Sequence, residues 1–416
     1  KTNGSNSGAK TNGSNSDVNG SNATLGARIA EVSVDAEART VEIQWRDGPP
    51  STFHMVWLRD HDRSPATVDE HHQRTIDSGA IPLDMEAVTV TSSPEGSHLH
   101  IKWLQEVAGV QESTFDAEWL KRHCFFSRLR SSQSQEQSET WGVEMCERLP
   151  SLAVPYDQVM GSDAALLQLL QNTARCGLGV VSETPHDSKS SRIAAERIGP
   201  IRHTFYGGWW ETKVLPEGHE ANIDSAYSTV ALPPHTDGNY WEDPPGLQIF
   251  FCLQADPKGG DTVLVDGFRI AEAVKAKDPE AFEVLCTTPL AFQHKDPENH
   301  VVAIHHVFGT DASGRVTRVH INGLDRDTLL LPPAQIPAFY RAWRCLQDVM
   351  WDPAHQVVVK LVPGDLLVIN NRRVLHGRTA FNSSSGRSLV GGYISYEDFT
   401  SKLRVLEARS QKGVLA

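Results

Sequence analysis

No stretch of this 416-residue chain approaches the length of an apolar membrane span, so no transmembrane helix is expected. Positive charge is also in short supply. Lys and Arg number 39 against 52 Asp and Glu, a net charge of −13, which argues against a nucleic-acid or anionic-membrane partner. The six cysteines, Cys124, Cys146, Cys176, Cys252, Cys286 and Cys345, have no paired or C-x-x-C spacing. That excludes a disulfide framework and points to free thiols in a reducing compartment, cytoplasmic or mitochondrial. Residues 1–26 lack apolar runs and repeat Thr-Asn-Gly-Ser-Asn-Ser at 2–7 and 11–16. They read as a disordered tail rather than a secretory signal. The chain starts at Lys, so an incomplete N-terminus is expected.

What the chain does have is a core: 10 Trp and 14 Phe, enough for one large domain and a small accessory one. Residues 27–115 carry short alternating runs at Glu31–Val34, Thr40–Trp45, Phe53–Leu58, Ala87–Thr91 and His98–Trp103, broken by turns. They predict a small N-terminal β domain. A capped helix over Ser113–Cys124 and a polar, Ser/Gln-rich stretch make residues 116–149 a connector. Residues 150–410 form the main domain. Helices are expected at Ser162–Thr173, Ser188–Ile198, Ala271–Leu285 and Pro333–Met350, with strands over 228–268 and 357–396. The fold class is mainly β with flanking helices, a double-stranded β-helix (jelly roll) plus the N-terminal β domain.

At this composition chance supplies about two His-x-acid triplets, and the chain has two: His235-Thr-Asp237 and His294-Lys-Asp296. The first follows a strand-like run, Ser228–Leu232, ended by two prolines, and precedes the apolar run Leu247–Leu253. A strand end feeding a turn is a rigid place to hold ligands. The second runs into Pro297-Glu-Asn-His and reads as a solvated surface stretch. His376 lies 139 residues after Asp237, in Arg373-Val-Leu-His-Gly-Arg378, and Arg387 eleven residues later. Two His and one carboxylate cap one face of a ferrous ion and leave positions for a co-substrate and O₂. An Arg can clamp the carboxylate of such a co-substrate. The pattern is that of an Fe(II), 2-oxoglutarate-dependent oxygenase. Strand parity puts Arg387, Leu389 and Tyr393 on one face and Ser388, Val390 and Ile394 on the other, and does not say which is inward.

Several blocks occur in register: Trp57-Leu-Arg-Asp60, Gly199-Pro-Ile-Arg-His-Thr-Phe-Tyr-Gly-Gly208, Asp224-Ser-Ala-Tyr227, Arg341-Ala-Trp-Arg344 and Arg373–Arg378. With these the chain resembles the γ-butyrobetaine/trimethyllysine dioxygenase family over residues 40–408, the trimethyllysine branch in particular. The resemblance implies iron ligands at His235, Asp237 and His376, and 2-oxoglutarate contacts at Arg387 and Thr262. It implies walls of a trimethylammonium cage at Tyr227 and Tyr393, with Trp209, Trp210 and Tyr206 as further walls, and Asp224 as a partner for a substrate ammonium. Each aromatic could instead be ordinary core. The chain departs from the family in two places. No cysteine follows Trp57–Asp60, only His61, His71 and His72 without regular spacing, so the family's structural zinc is expected to be absent. Leu324 stands where the trimethyllysine enzymes tend to carry a tyrosine.

The expected partner is a small amino-acid-like molecule, with a homodimer left open. The expected reaction is oxidation of an unactivated C–H bond, best matched by trimethyllysine hydroxylation. Two alternatives remain: an oxygenase of secondary metabolism that hydroxylates, desaturates or cyclises another amino acid, and an inactive jelly-roll binding protein.

Overall fold

The computed structural model describes residues 26–71, 73–125, 138–213, 229–381 and 386–415. Asp224 and Tyr227 lie outside the described residues. The chain divides into two compact units, residues 1–135 and 136–416.

In the first unit β1 (Ile29–Asp35), β2 (Thr40–Trp45) and β3 (Ser51–His54) form one antiparallel sheet. The alternation of β2 buries Val41, Ile43 and Trp45. The expected strand Phe53–Leu58 is cut in half. His54 accepts the Val56 N–H on its ring and caps the helix α1 (Met55–Asp60). A local side-chain cap thus overrides β propensity. The second sheet holds β4 (Ala87–Ser92), β5 (His98–Val107) and β6 (Val110–Asp116). The expected helix over Ser113–Cys124 therefore starts late, as α2 (Ala117–His123), where the Asp116 carboxylate accepts the Trp119 N–H at 2.8 Å.

The second unit is a jelly roll. Its large sheet contains β7 (Ala153–Pro155), β8 (Leu178–Ser182), β9 (Ile201–Arg202), β10 (Trp209–Lys213), β12 (Leu247–Gln254), β19 (Leu366–Asn370) and β21 (Ser388–Ile394). The order is β10-β21-β12-β19-β8-β7, with β9 also beside β21. The small sheet runs β11-β20-β13-β18, from β11 (Leu232–His235), β20 (Val374–Arg378), β13 (Thr262–Asp266) and β18 (Val357–Val359). Between the sheets Leu264 and Val374 pack with Cys252, Leu367, Ile369 and Leu389. The outer face of the large sheet is covered by α3 (Asp163–Cys176), α4 (Ser188–Ile198) and α8 (Tyr396–Gln411). The outer face of the small sheet is covered by α5 (Gly267–Lys277), α6 (Pro279–Thr287) and α7 (Ile336–Met350). The hairpins β14 (Leu290–Lys295) with β15 (His300–His305), and β16 (Phe308–Thr310) with β17 (Val316–Val319), complete that side.

Because β21 is covered on both faces, all seven of its residues are buried. Both parities read from the sequence are therefore inward, toward different layers. The expected Ala271–Leu285 helix is two helices, broken where Asp278 ends one and caps the next at Pro279.

One ionic contact ties the unit together. Arg373 and Asp266 are almost wholly buried and meet in two bonds, Nε to Oδ1 at 2.9 Å and Nη2 to Oδ2 at 2.8 Å. The same carboxylate accepts the N–H of Trp141 and of Phe268, and the guanidinium donates to the carbonyls of Arg175 and Glu139. A buried pair holds only when its remaining donors and acceptors are satisfied in this way.

Candidate active site

The ladder brings two histidines face to face. β11 pairs with β20 so that His235 stands directly opposite His376, and their ring centroids lie 4.6 Å apart. Asp237 follows in the turn after β11. Its Oδ1 is 3.2 Å from His235 Nε2 and 3.6 Å from His376 Nε2. One donor atom from each residue falls within 4.8 Å of the others, the one such grouping of three or more His, Cys, Asp or Glu among the described residues.

The turn is held from three sides. Asp237 N–H donates to Asn371 Oδ1 at 2.8 Å, and Asn371 Nδ2 donates back to the Asp237 carbonyl at 3.0 Å and to Pro245 at 3.1 Å. Buried Thr236 exchanges bonds with the backbone of Ile321. Tyr393 OH donates to Asp237 Oδ2 at 3.0 Å, which leaves Oδ1 toward the histidines. His235 Nδ1 lies 2.8 Å from the Pro233 carbonyl and turns its Nε2 inward. That is how a ligating imidazole is usually oriented.

The charges suit a divalent cation. Burial alone would push Asp237 up, but the His376 imidazole, the His235 contact and the Tyr393 hydroxyl hold it down at about 2. Burial pushes His376 down to about 4. For His235 burial acts downward and the Asp237 hydrogen bond outweighs it, so the ring is raised. At neutral pH the set offers an ionised carboxylate and a neutral His376, the forms that ligate.

These residues line a cavity of about 420 Å³. At one end Thr262 on β13 pairs with Arg378 on β20, and both are buried. Arg387 is also buried there, its guanidinium 5.1 Å from the Phe381 ring centroid. Burial lowers its pKa, against the opposing pull of Cys252, Asp256 and Asp261. Gly260, at φ +64°, backs it; a Cβ there would come within 2.7 Å of the Arg387 side chain.

The other end is aromatic. Tyr206 OH meets Tyr240 OH at 2.9 Å, and Trp210 lies 6.1 Å from Tyr393, ring to ring. Gly391 makes room for Trp210, since a Cβ there would come within 2.7 Å of its ring. Trp209 corrects the sequence reading. It points to the opposite face of β10, packs in the outer core and donates to Ser188 at 3.1 Å, so it is no wall of this cavity. His294 is a second correction. It lines the cavity instead of a solvated surface, 3.0 Å from Asp296 Oδ2 and stacked on Phe205. Tyr240, Phe250, Asn322, Asp325 and Asn371 went unread in the sequence. Only Tyr240 carried a signal, three residues beyond Asp237 in the same turn. In the first unit, His61 stacks on Trp57 and its Nδ1 lies 2.8 Å from that residue's carbonyl.

Comparison with known proteins gives two family matches. Residues 134–393 match the taurine catabolism dioxygenase TauD, TfdA family, and residues 32–121 match the gamma-butyrobetaine hydroxylase-like N-terminal family. The chain is 32% identical to a trimethyllysine dioxygenase of Meyerozyma guilliermondii, covering 92% of this chain and 97% of that protein. It is 31% identical to the mitochondrial trimethyllysine dioxygenase of Bos taurus, over 85% and 82% of the two chains. It is 29% identical to the gamma-butyrobetaine dioxygenase of Homo sapiens, over 90% and 96%.

Proposed function

This chain belongs to the TauD/TfdA family of dioxygenases, and from that premise we propose that it is an Fe(II)- and 2-oxoglutarate-dependent oxygenase of a small amino acid bearing a quaternary ammonium group, trimethyllysine first. The observation that carries the reading is one cavity holding His235, Asp237 and His376 beside a buried Arg387. When bound, iron and 2-oxoglutarate supply the oxidation, coupling decarboxylation of the co-substrate by O₂ to hydroxylation of a C–H bond.

The protein's part is position. His235 and His376, through their Nε2 atoms, and Asp237 Oδ1 would hold the metal. Asn371 and Thr236 keep the turn fixed, so the ligands need no rearrangement on binding. Arg387 receives the far carboxylate of 2-oxoglutarate with Thr262 beside it, in a site dry enough to make the pair strong. Tyr206, Trp210 and Tyr393 form the described part of a cage whose π faces attract a quaternary ammonium. Tyr227 and Asp224 complete that proposal from the sequence. The partner proposed is a small molecule rather than a nucleic acid or a membrane. The residues before the dioxygenase match are proposed to act as a separate small β domain. Six cysteines without a disulfide support a reducing compartment, cytoplasm or mitochondrion.

A second reading, oxygenation of a different free amino acid, is favoured by Leu324. It lines the cavity and is 60% exposed, where the resemblance led to a tyrosine.

The test is anaerobic titration with Fe(II) and 2-oxoglutarate, followed by visible absorbance, with and without trimethyllysine. A charge-transfer band that shifts with trimethyllysine is expected. A band indifferent to it favours the second reading, and no band removes the oxygenase.

A further inference from the structure

The cavity is lined by charges of both signs. Among its described lining residues the arginines are Arg378 and Arg387. Arg378 lies where β20 pairs with Leu232 and Thr262, and Arg387 sits just before β21. Tyr393 is six residues further along that strand, roughly 20 Å of extended chain. The same cavity is lined by a carboxylate that the site chemistry above does not use, Asp325.

Asp325 is well fixed. Buried Asn322 donates from Nδ2 to Asp325 Oδ2 at 2.7 Å, and its Oδ1 accepts the N–H groups of Leu324 at 3.0 Å and Asp325 at 3.3 Å. The Asp325 carbonyl accepts the Gln293 N–H at 2.9 Å, which docks it against β14 next to His294. It shares its cavity with Tyr240 and with His235, Asp237 and His376. His294 lines the same cavity and meets Asp296.

Aromatic walls and a carboxylate recognise different cations. A quaternary ammonium has no N–H and gains from π faces. A carboxylate gains most from an ammonium that donates hydrogen bonds. We infer that Asp325 is a specificity-determining residue that selects substrates carrying an N–H-bearing ammonium, such as the α-ammonium of an amino acid. The inference rests on the oxygenase reading and narrows its substrate class. Trimethyllysine has both kinds of cation. γ-Butyrobetaine has only the quaternary one and leaves Asp325 without that partner.

The experiment measures kcat/KM for substrate-stimulated 2-oxoglutarate turnover with trimethyllysine, Nα-acetyl-trimethyllysine, γ-butyrobetaine and common amino acids. It uses the full chain and its Asp325→Asn and Asp325→Ala variants. The ratio of trimethyllysine to γ-butyrobetaine is expected to fall about 10- to 100-fold in both variants, mainly through KM. An unchanged ratio overturns the inference. If neither variant folds, the parent decides: it should prefer trimethyllysine to the acetylated compound at least about tenfold, and equal use overturns the inference. A parent that answers another amino acid in an Asp325-dependent way keeps the inference and removes trimethyllysine. A parent that answers only compounds without an ammonium N–H overturns the inference and leaves the oxygenase reading standing. A parent that decarboxylates 2-oxoglutarate with none of them overturns both.

Discussion

His235-Thr-Asp237 and His294-Lys-Asp296 have the same spacing, and both histidines face the same cavity. In the first triplet the strand ladder delivers a third donor, His376, opposite His235. In the second the pair closes on itself. His294 Nε2 meets Asp296 Oδ2 at 3.0 Å, and Asn299 and Glu298 donate to the same carboxylate. These contacts, His294 foremost, hold Asp296 below the usual carboxylate range. A ligand triplet is thus a property of topology as much as of spacing. The pair that remains poised is the one whose acid is left facing a second imidazole.

The contrast can be broken first at Asp237. Asp237→Ala should lower kcat/KM at least about 1,000-fold, because it removes a donor proposed to hold the metal. Circular dichroism and melting should stay close to the parent; turnover of parental size would end the ligand assignment. Next comes the clamp. Asn371→Ala frees the turn without touching a donor atom, and Fe(II) affinity should fall about 10- to 100-fold. Metal titration checks this, and unchanged affinity would show the turn to be rigid by itself.

Acid should separate the two walls. The hairpin that carries His294 also carries His305, stacked at 4.2 Å on His320. Burial, then the His305 charge, pushes His320 down to about 3. A depressed imidazole contributes stability that is intact above its unfolded value, about 6.5, and is lost as pH falls toward the folded one. The loss should reach about 1.4 kcal/mol per pH unit below that value. Urea unfolding at pH 7 and pH 5 should show a smaller drop for His320→Gln than for the parent. The mildest change is Asp296→Ala, for which kcat/KM should stay within about threefold. A loss as large as that of Asp237→Ala would make the second triplet part of the chemistry.

The sequence carried the jelly roll and singled out His235, Asp237 and His376, which the fold brings together, because spacing and flanking strands are local quantities. Its errors mark where partners decide. Pro233 and Pro234 should have ended a strand, yet they lie within β11. They are tolerated because β11 is, among the described residues, an edge strand paired with β20. Trp209 and Trp210 looked equivalent until the pairing of β10 with β21 assigned them to opposite faces. His294 looked solvated because its neighbours are polar, and only the packing of Phe205 and Tyr206 reveals otherwise. Asn371 carried no chemical signature at all. Its role is to bridge Asp237, 134 positions earlier.

The Asp266–Arg373 pair also bears on the order in which the molecule can assemble. Its two members are 107 residues apart in sequence. During synthesis Asp266 emerges long before the guanidinium that neutralises it, and β13 before its neighbour β20. A nascent chain stopped short of Arg373 would have to bury an uncompensated charge to close the small sheet, at a cost of several kcal/mol. The second unit should therefore fold only after nearly all of it has left the ribosome, with contacts of long sequence separation setting a slow rate. Its C-terminal strands then act as the latch on a structure that waits open until they arrive.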